Sequence, residues 1–213
     1  MSSSRLNKLR LANDATGEAM RKEAGRFGAL ASRHADGTAP RAVASCNLFQ
    51  TPEATAAIMA ERIVEHANGR RLRILEPSAG LGRLYVALSS RMDSDFVLVD
   101  ESPDCIRELY AMTETAEGIT LRQGDFMGMT TADIGEFDAV CMNPPFKMWR
   151  DIRHIRHALT MLKPGGLLIA LCANGPKQRA TLEPLADTWE ELPEGTFRAE
   201  GTGAIVVLLT IEK

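Results

Sequence analysis

No stretch of the chain is apolar over the ~20 residues that a membrane-spanning helix requires, which sets aside an integral helical membrane protein. The start, MSSSRLNKLRLAN, lacks the continuous apolar core of a secretory signal, so the chain reads as cytoplasmic. The four cysteines, Cys46, Cys105, Cys141 and Cys172, are scattered and form no C-x-x-C pair. That spacing indicates neither a zinc site nor a disulfide framework, and no metal is expected. Charge of neither sign dominates, the net value being -3. Coating of nucleic acid by charge alone is therefore disfavoured, because phosphate neutralisation carries most non-specific affinity. A local basic face remains compatible with that balance. There is no internal repeat and no low-complexity tract. What is present, 213 residues of which 45% are hydrophobic and 25% charged, fits one well-filled core in a soluble globular protein.

The first ~45 residues read as an N-terminal helical arm and linker, weakened as helix by Gly17 and Gly25 and ending in the Gly- and Pro-punctuated SRHADGTAPRA. From residue 46 to 213 the pattern changes. Thr51-Pro52-Glu53 reads as a hydroxyl cap, a proline at the first helical position and an acid in the first turn of a helix that stops at Asn68-Gly69. Strand and helix signals then alternate: strands at 73–75, 96–99, 119–122, 139–142 and 167–171, helices at 84–90, 103–112 and 151–162, and strands again at 189–192 and 204–211. Such alternation predicts an α/β fold, a Rossmann-like, doubly wound, mostly parallel seven-stranded sheet.

Ligands of these sheets sit outside the carboxyl ends of the strands, and four places qualify. The first is ILEPSAGLGRLY, Ile74 to Tyr85, where Gly80 and Gly82 let backbone N–H groups approach a ligand. A dinucleotide fingerprint would have a third glycine where Tyr85 stands, and Glu76 at the strand end would repel a pyrophosphate. A carboxylate there suits a cationic ligand. The second is Asp100, 18 residues beyond Gly82 and placed as acids that bind ribose hydroxyls are. The third is Gly124-Asp125-Phe126, an acceptor for an amino group beside a ring that can lie against a base. The last is FDAVCMNPPFKMW, an apolar strand running into Asn143-Pro144-Pro145-Phe146. Two prolines stiffen that corner and remove two donors. The Asn143 amide oxygen and the Pro144 carbonyl can hold both hydrogens of an exocyclic NH₂ group, and Phe146 can stack on the planar group that bears it.

In order and spacing, Ile74 to Gly82, Asp100, Gly124-Asp125-Phe126 and Asn143 to Phe146 resemble the class I S-adenosylmethionine-dependent methyltransferases. Within them the chain resembles the amino-group branch that includes the N6-adenine DNA methyltransferases. The likeness runs from about Phe49 to Lys213 and takes in Phe49-Gln50-Thr51-Pro52 and the terminal EGTGAIVVLLTIEK, similar to the last hairpin of that family. The resemblance implies S-adenosyl-L-methionine as cofactor. It implies Glu76, Gly80 and Gly82 around the methionine moiety, Asp100 at the ribose, and Asp125 with Phe126 at the adenine. Thr51, Pro77, Ser78, Ala79, Glu101 and Asn143 complete the implied cofactor set, and Asn143, Pro144, Pro145 and Phe146 form the implied catalytic grip. DNA-modifying relatives usually carry a separate target-recognition domain, for which there is no room after Ile211; low specificity, a partner subunit or homo-oligomer, or another substrate is expected to compensate.

Just past the corner, Lys147, Trp149, Arg150 and Arg153 are candidate nucleic-acid contacts beside a stripe of Ile152, Ile155, Leu159 and Leu162. A solvated helix face would look the same. His154 and His157 read as surface residues rather than as a general base. The reading that follows is a methyltransferase acting on an exocyclic amine, first of all N6 of adenine in DNA, in a compact build of phage or mobile-element type. RNA base amines and protein glutamine are the alternatives within the enzyme class, and a non-catalytic cofactor-fold subunit is the alternative outside it.

Overall fold

A computed structural model of the chain describes residues 50–200 and 202–213. The expected N-terminal arm, Phe49 and Cys46 lie outside those residues.

Nearly every position of the central strands is apolar because both faces of the sheet are covered. Alternate residues of each strand point to opposite sides. Ile74, Phe96, Leu98, Ala139, Cys141, Ile169 and Leu208 join one buried cluster; their neighbours Leu75, Val97, Val99, Val140, Met142, Leu168 and Leu209 join the other. The described chain runs α1 (Glu53–Ala67), β1 (Arg73–Glu76), α2 (Arg83–Ser89), β2 (Asp95–Asp100), α3 (Pro103–Thr113), β3 (Ile119–Gln123), α4 (Thr131–Ile134), β4 (Phe137–Met142), α5 (Arg150–Met161), β5 (Leu162–Ala173), α6 (Pro176–Leu182), β6 (Thr188–Glu191) and β7 (Val206–Glu212).

The sheet order is β3-β2-β1-β4-β5-β7-β6. Pairing is parallel from β3 through β5, and β7 lies antiparallel to both β5 and β6. After β1 the chain steps outward to β2 and β3, then returns to place β4 on the other side of β1. Right-handed crossovers require the connecting helices to change faces at that reversal. They do: α1, α2 and α3 bury Met59, Ile63, Leu84, Leu88 and Leu109 on one face, and α5 and α6 bury Ile155, Met161 and Leu182 on the other. The reversal leaves a crevice at the carboxyl ends of β1 and β4.

The seven-stranded, mostly parallel architecture is the one expected. Three local readings need correction. Thr51 does not cap α1; Pro52 occupies the N-cap position, and the helix starts at Glu53. Strand β5 begins at Leu162 rather than at 167, passing Pro164-Gly165-Gly166 with a register shift against β4. Helices α4 and α6 were not anticipated, being 4 and 7 residues long and too short to show a helical period. The αL stop at Asn68 is as expected, with φ 47°. Among the described residues no helix is long and apolar enough to cross a membrane.

Candidate active site

The crevice between β1 and β4 is lined by residues from all four places singled out in the sequence. Strand β1 ends in Glu76, whose side chain is 2% exposed. One of its carboxylate oxygens, Oε2, is buried with no hydrogen-bond partner among the described residues. Burial raises the Glu76 pKa well above the ordinary carboxylate value, offset in part by the Tyr85 backbone N–H, while the negative charge of Asp100 raises it further. An acid in that state gains from a nearby cation, which would satisfy Oε2 and favour ionisation.

The loop after β1 is pinned to β2. The N–H of Ala79 donates to the Val99 carbonyl at 2.9 Å. The N–H of Gly80 donates to Asp100 Oδ2 at 2.8 Å, and the other Asp100 oxygen accepts from the Ser102 N–H at 2.8 Å. Asp100 thus ties the glycine loop to the start of α3, with lone pairs left over for hydroxyl donors. Pro77, Ser78, Ala79 and Gly80 line the crevice, as do Gln50 and the buried Thr51. Gly82 does not line it. At φ 75° it caps α2, and a Cβ there would meet Leu109 Cδ2 at 2.8 Å. It allows α3 to pack against the loop, a structural task distinct from ligand approach.

On the β3 side, Asp125 Oδ1 accepts from the Met127 N–H at 3.0 Å, closing a short 3₁₀ turn at Phe126–Gly128. Phe126 is 2% exposed yet borders the crevice. Strand β4 delivers Asn143, the buried Pro144, and the half-buried Pro145 and Phe146 to the same opening. Four acids, Glu76, Asp100, Glu101 and Asp125, face two arginines, Arg83 and Arg150. Both arginines are already paired, Arg83 with Glu53 at 3.1 Å and Arg150 with Glu101 at 3.3 Å. The balance of the lining is acidic.

Helix α5 departs from expectation. Its buried face consists of Asp151, Ile152, His154, Ile155, Ala158 and Met161, so Asp151 and His154 stand inside while Leu159 is only half-buried. The Asp151 carboxylate accepts from the Ala173 N–H at 3.1 Å and from Gln178 Nε2 at 3.0 Å, fixing α5 to the end of β5 and to α6. His154 is not a surface residue: it is 3% exposed, borders the crevice, and among the described residues neither ring nitrogen has a hydrogen-bond partner. Desolvation, aided by Arg150 and Arg153 and opposed by Asp125 and Glu101, lowers its pKa to about 4, so the ring is neutral. His157 is half-buried too; its Nε2 donates to the Met129 carbonyl at 2.8 Å, and its ring packs edge-on to Phe126 at 4.8 Å. Of the candidate nucleic-acid contacts, only Arg150 borders the crevice; Lys147, Trp149 and Arg153 are exposed outside it.

Residues 74–166 match the family model described as a methyltransferase domain. The chain has the class I S-adenosylmethionine-dependent methyltransferase fold. No curated protein matches the sequence significantly. Among solved structures, one described as the modification subunit of a type I restriction enzyme from Vibrio vulnificus is similar at 13% identity and a TM-score of 0.61. The match covers 92% of this chain and 49% of that one, so this chain spans about half its length. One described as an RNA methyltransferase from Pyrococcus horikoshii has 16% identity and a TM-score of 0.60 over 78% of this chain and 87% of that one. TrmN from Thermus thermophilus has 19% identity and a TM-score of 0.56, covering 74% of this chain and 48% of that one. At these identities the neighbours speak for the fold. The methyltransferase domain implies S-adenosylmethionine as methyl donor, and the acidic crevice with its orphaned Glu76 oxygen fits a sulfonium and ammonium ligand.

Proposed function

We propose that this methyltransferase modifies an exocyclic amino group, with N6 of adenine in DNA as its first substrate. The observation that carries the reading is the meeting, in one crevice, of a buried Glu76 oxygen that has no partner among the described residues with the Asn143-Pro144-Pro145-Phe146 corner. Glu76 and the loop through Gly80 would hold the cationic methionine end of the cofactor, Asp100 the ribose, and Asp125 with Phe126 the adenine. Thr51, Pro77, Ser78, Ala79 and Glu101 would complete that envelope. When bound, S-adenosylmethionine supplies an electrophilic methyl group on a sulfonium.

The protein's own part is to present the amine. Asn143 and the Pro144 carbonyl accept from its two hydrogens, drawing the nitrogen lone pair out of conjugation without a strong base. Pro145 keeps the corner rigid, and Phe146 stacks on the ring bearing the amine. A base in duplex DNA must be flipped out to reach such a corner. The Arg150–Glu101 pair makes Arg150 part of the crevice wall rather than a free phosphate contact. That leaves Lys147, Trp149 and Arg153 as the outer contacts. Because structures described as RNA methyltransferases share the fold, an RNA base amine is the second reading.

The test is nucleoside mass spectrometry of DNA and RNA from a host without adenine methylation that expresses either the unmutated chain or Asn143→Ala. N6-methyladenine in DNA with the unmutated chain alone is the expected result. A methylated base confined to RNA would move the substrate, and no modified base in either would reject an exocyclic base amine.

A further inference from the structure

Directly after the catalytic corner, Met148 and Trp149 both adopt left-handed backbone, with φ 56° and 57°. For bulky non-glycine residues each such conformation is strained by ~1 kcal/mol or more. Burial does not offset the strain, since Met148 is 74% exposed and Trp149 53% exposed. The ring of Trp149 is covered by a residue that no motif singles out. Lys177, in the first turn of α6, places its ammonium 3.6 Å from the indole centroid. The lysine stands over the ring, and about half of the residue remains exposed. Lys147, Arg153 and Lys177 are all exposed, and among the described residues none has an ion pair. The two other arginines of α5 and α6 that reach carboxylates, Arg150 and Arg179, are thereby occupied.

An exposed aromatic ring backed by an ammonium, beside cations that have no ion pair among the described residues, matches a nucleotide: base on the ring, phosphate on the cations. A base stacked within a duplex has no face to offer. We propose that Met148, Trp149 and Lys177 form a ledge that holds the nucleotide adjoining the target, and that the substrate is an unpaired nucleic-acid strand. This deepens the amino-methyltransferase reading and rests on it for the position of the target.

The test is fluorescence anisotropy with the full chain, S-adenosylhomocysteine present, on a labelled adenine-containing single-stranded DNA oligonucleotide and on its duplex. The single strand should bind more tightly than the duplex. Trp149→Ala should weaken single-strand binding about tenfold, by loss of one stacked base, while Trp149→Phe retains most of it. Lys177→Gln should reduce the slope of log affinity against log salt by about 0.7, the share of one phosphate on a single strand. Unfolding temperature and S-adenosylhomocysteine affinity should be unchanged in all three variants. Equal affinity in Trp149→Ala, preference for the duplex, or no binding of either form would overturn the ledge; so would a peptide glutamine substrate whose turnover alone responds to Trp149. The two readings separate cleanly. If strands bind as described but gain no methyl group, the amino-methyltransferase reading fails and the ledge stands. If methyl transfer proceeds and the ledge variants bind normally, the ledge fails alone.

Discussion

Two buried titratable side chains at the crevice, Glu76 and His154, are unsatisfied for different reasons. Glu76 is an acid at the end of a strand facing the space a cation would fill, whereas His154 is an imidazole turned inward by the rotation of α5 against the sheet. The folded-state pKa of His154, about 4, lies below the ordinary 6.5. In that window the unfolded chain binds the proton that the folded chain refuses. Stability from this residue is therefore complete above 6.5 and is lost as pH falls toward about 4. Urea unfolding across that range should show a fall that His154→Phe makes shallower. At neutral pH the same variant should be more stable by about 1 kcal/mol, because it removes two buried nitrogens that have no partner among the described residues. A steeper acid loss in the variant would mean that the fall comes from other groups.

At the scale of elements, the glycine loop shows how one strand–turn–helix unit divides its tasks. Gly80 meets the crevice and is held by Asp100, while Gly82 faces the other way, into α3. Gly82→Ala would have to hold alanine at φ 75° and push its Cβ toward the fully buried Leu109. The expected cost is about 1–2 kcal/mol from the backbone alone, read as a lower urea midpoint with an unchanged slope. Unaltered stability would show that α3 yields freely. The four strand-end motifs were legible because each joins an apolar run to residues with special backbone or side-chain chemistry. Helix α5 was legible as a helix, but its inner face was not. Asp151 and His154 are polar, and hydrophobic periodicity alone placed the stripe on Leu159 instead. The spacing of 151, 154, 158 and 161 is itself helical, so a signal existed, but only the partners Ala173 and Gln178 explain why an acid can be buried there.

For the molecule as a whole, cofactor binding should couple to stability and to protons. S-adenosylmethionine at a hundred times its dissociation constant should stabilise the fold by about 2.7 kcal/mol, or roughly 5–10 °C in unfolding temperature for a domain of this size. The raised Glu76 pKa means that the free protein loses stability from this residue as pH rises from the ordinary carboxylate value through the raised one. A bound cation lowers that pKa again. Binding should therefore release protons, and the cofactor-induced shift should grow with pH over that interval. Calorimetry in buffers of different ionisation enthalpy checks the proton count, and Glu76→Gln should abolish the pH dependence. A shift of equal size at every pH would place the cation away from Glu76.

By itself the sequence determined the alternation of strands and helices, the sheet class, and the turn residues that end β1, β2, β3 and β4, because each depends on local spacing and on what glycine, proline, asparagine and carboxylates permit. Tertiary structure alone decided which of those ends share a crevice, since strand order, with β4 beside β1 and away from β3, has no local signature. It decided that Arg150 answers Glu101 rather than solvent, that His154 points inward, and that Lys177 lies over Trp149. Those pairings join segments far apart in the chain, and the rotation of a helix about its own axis is set by what the sheet and the neighbouring helices leave room for.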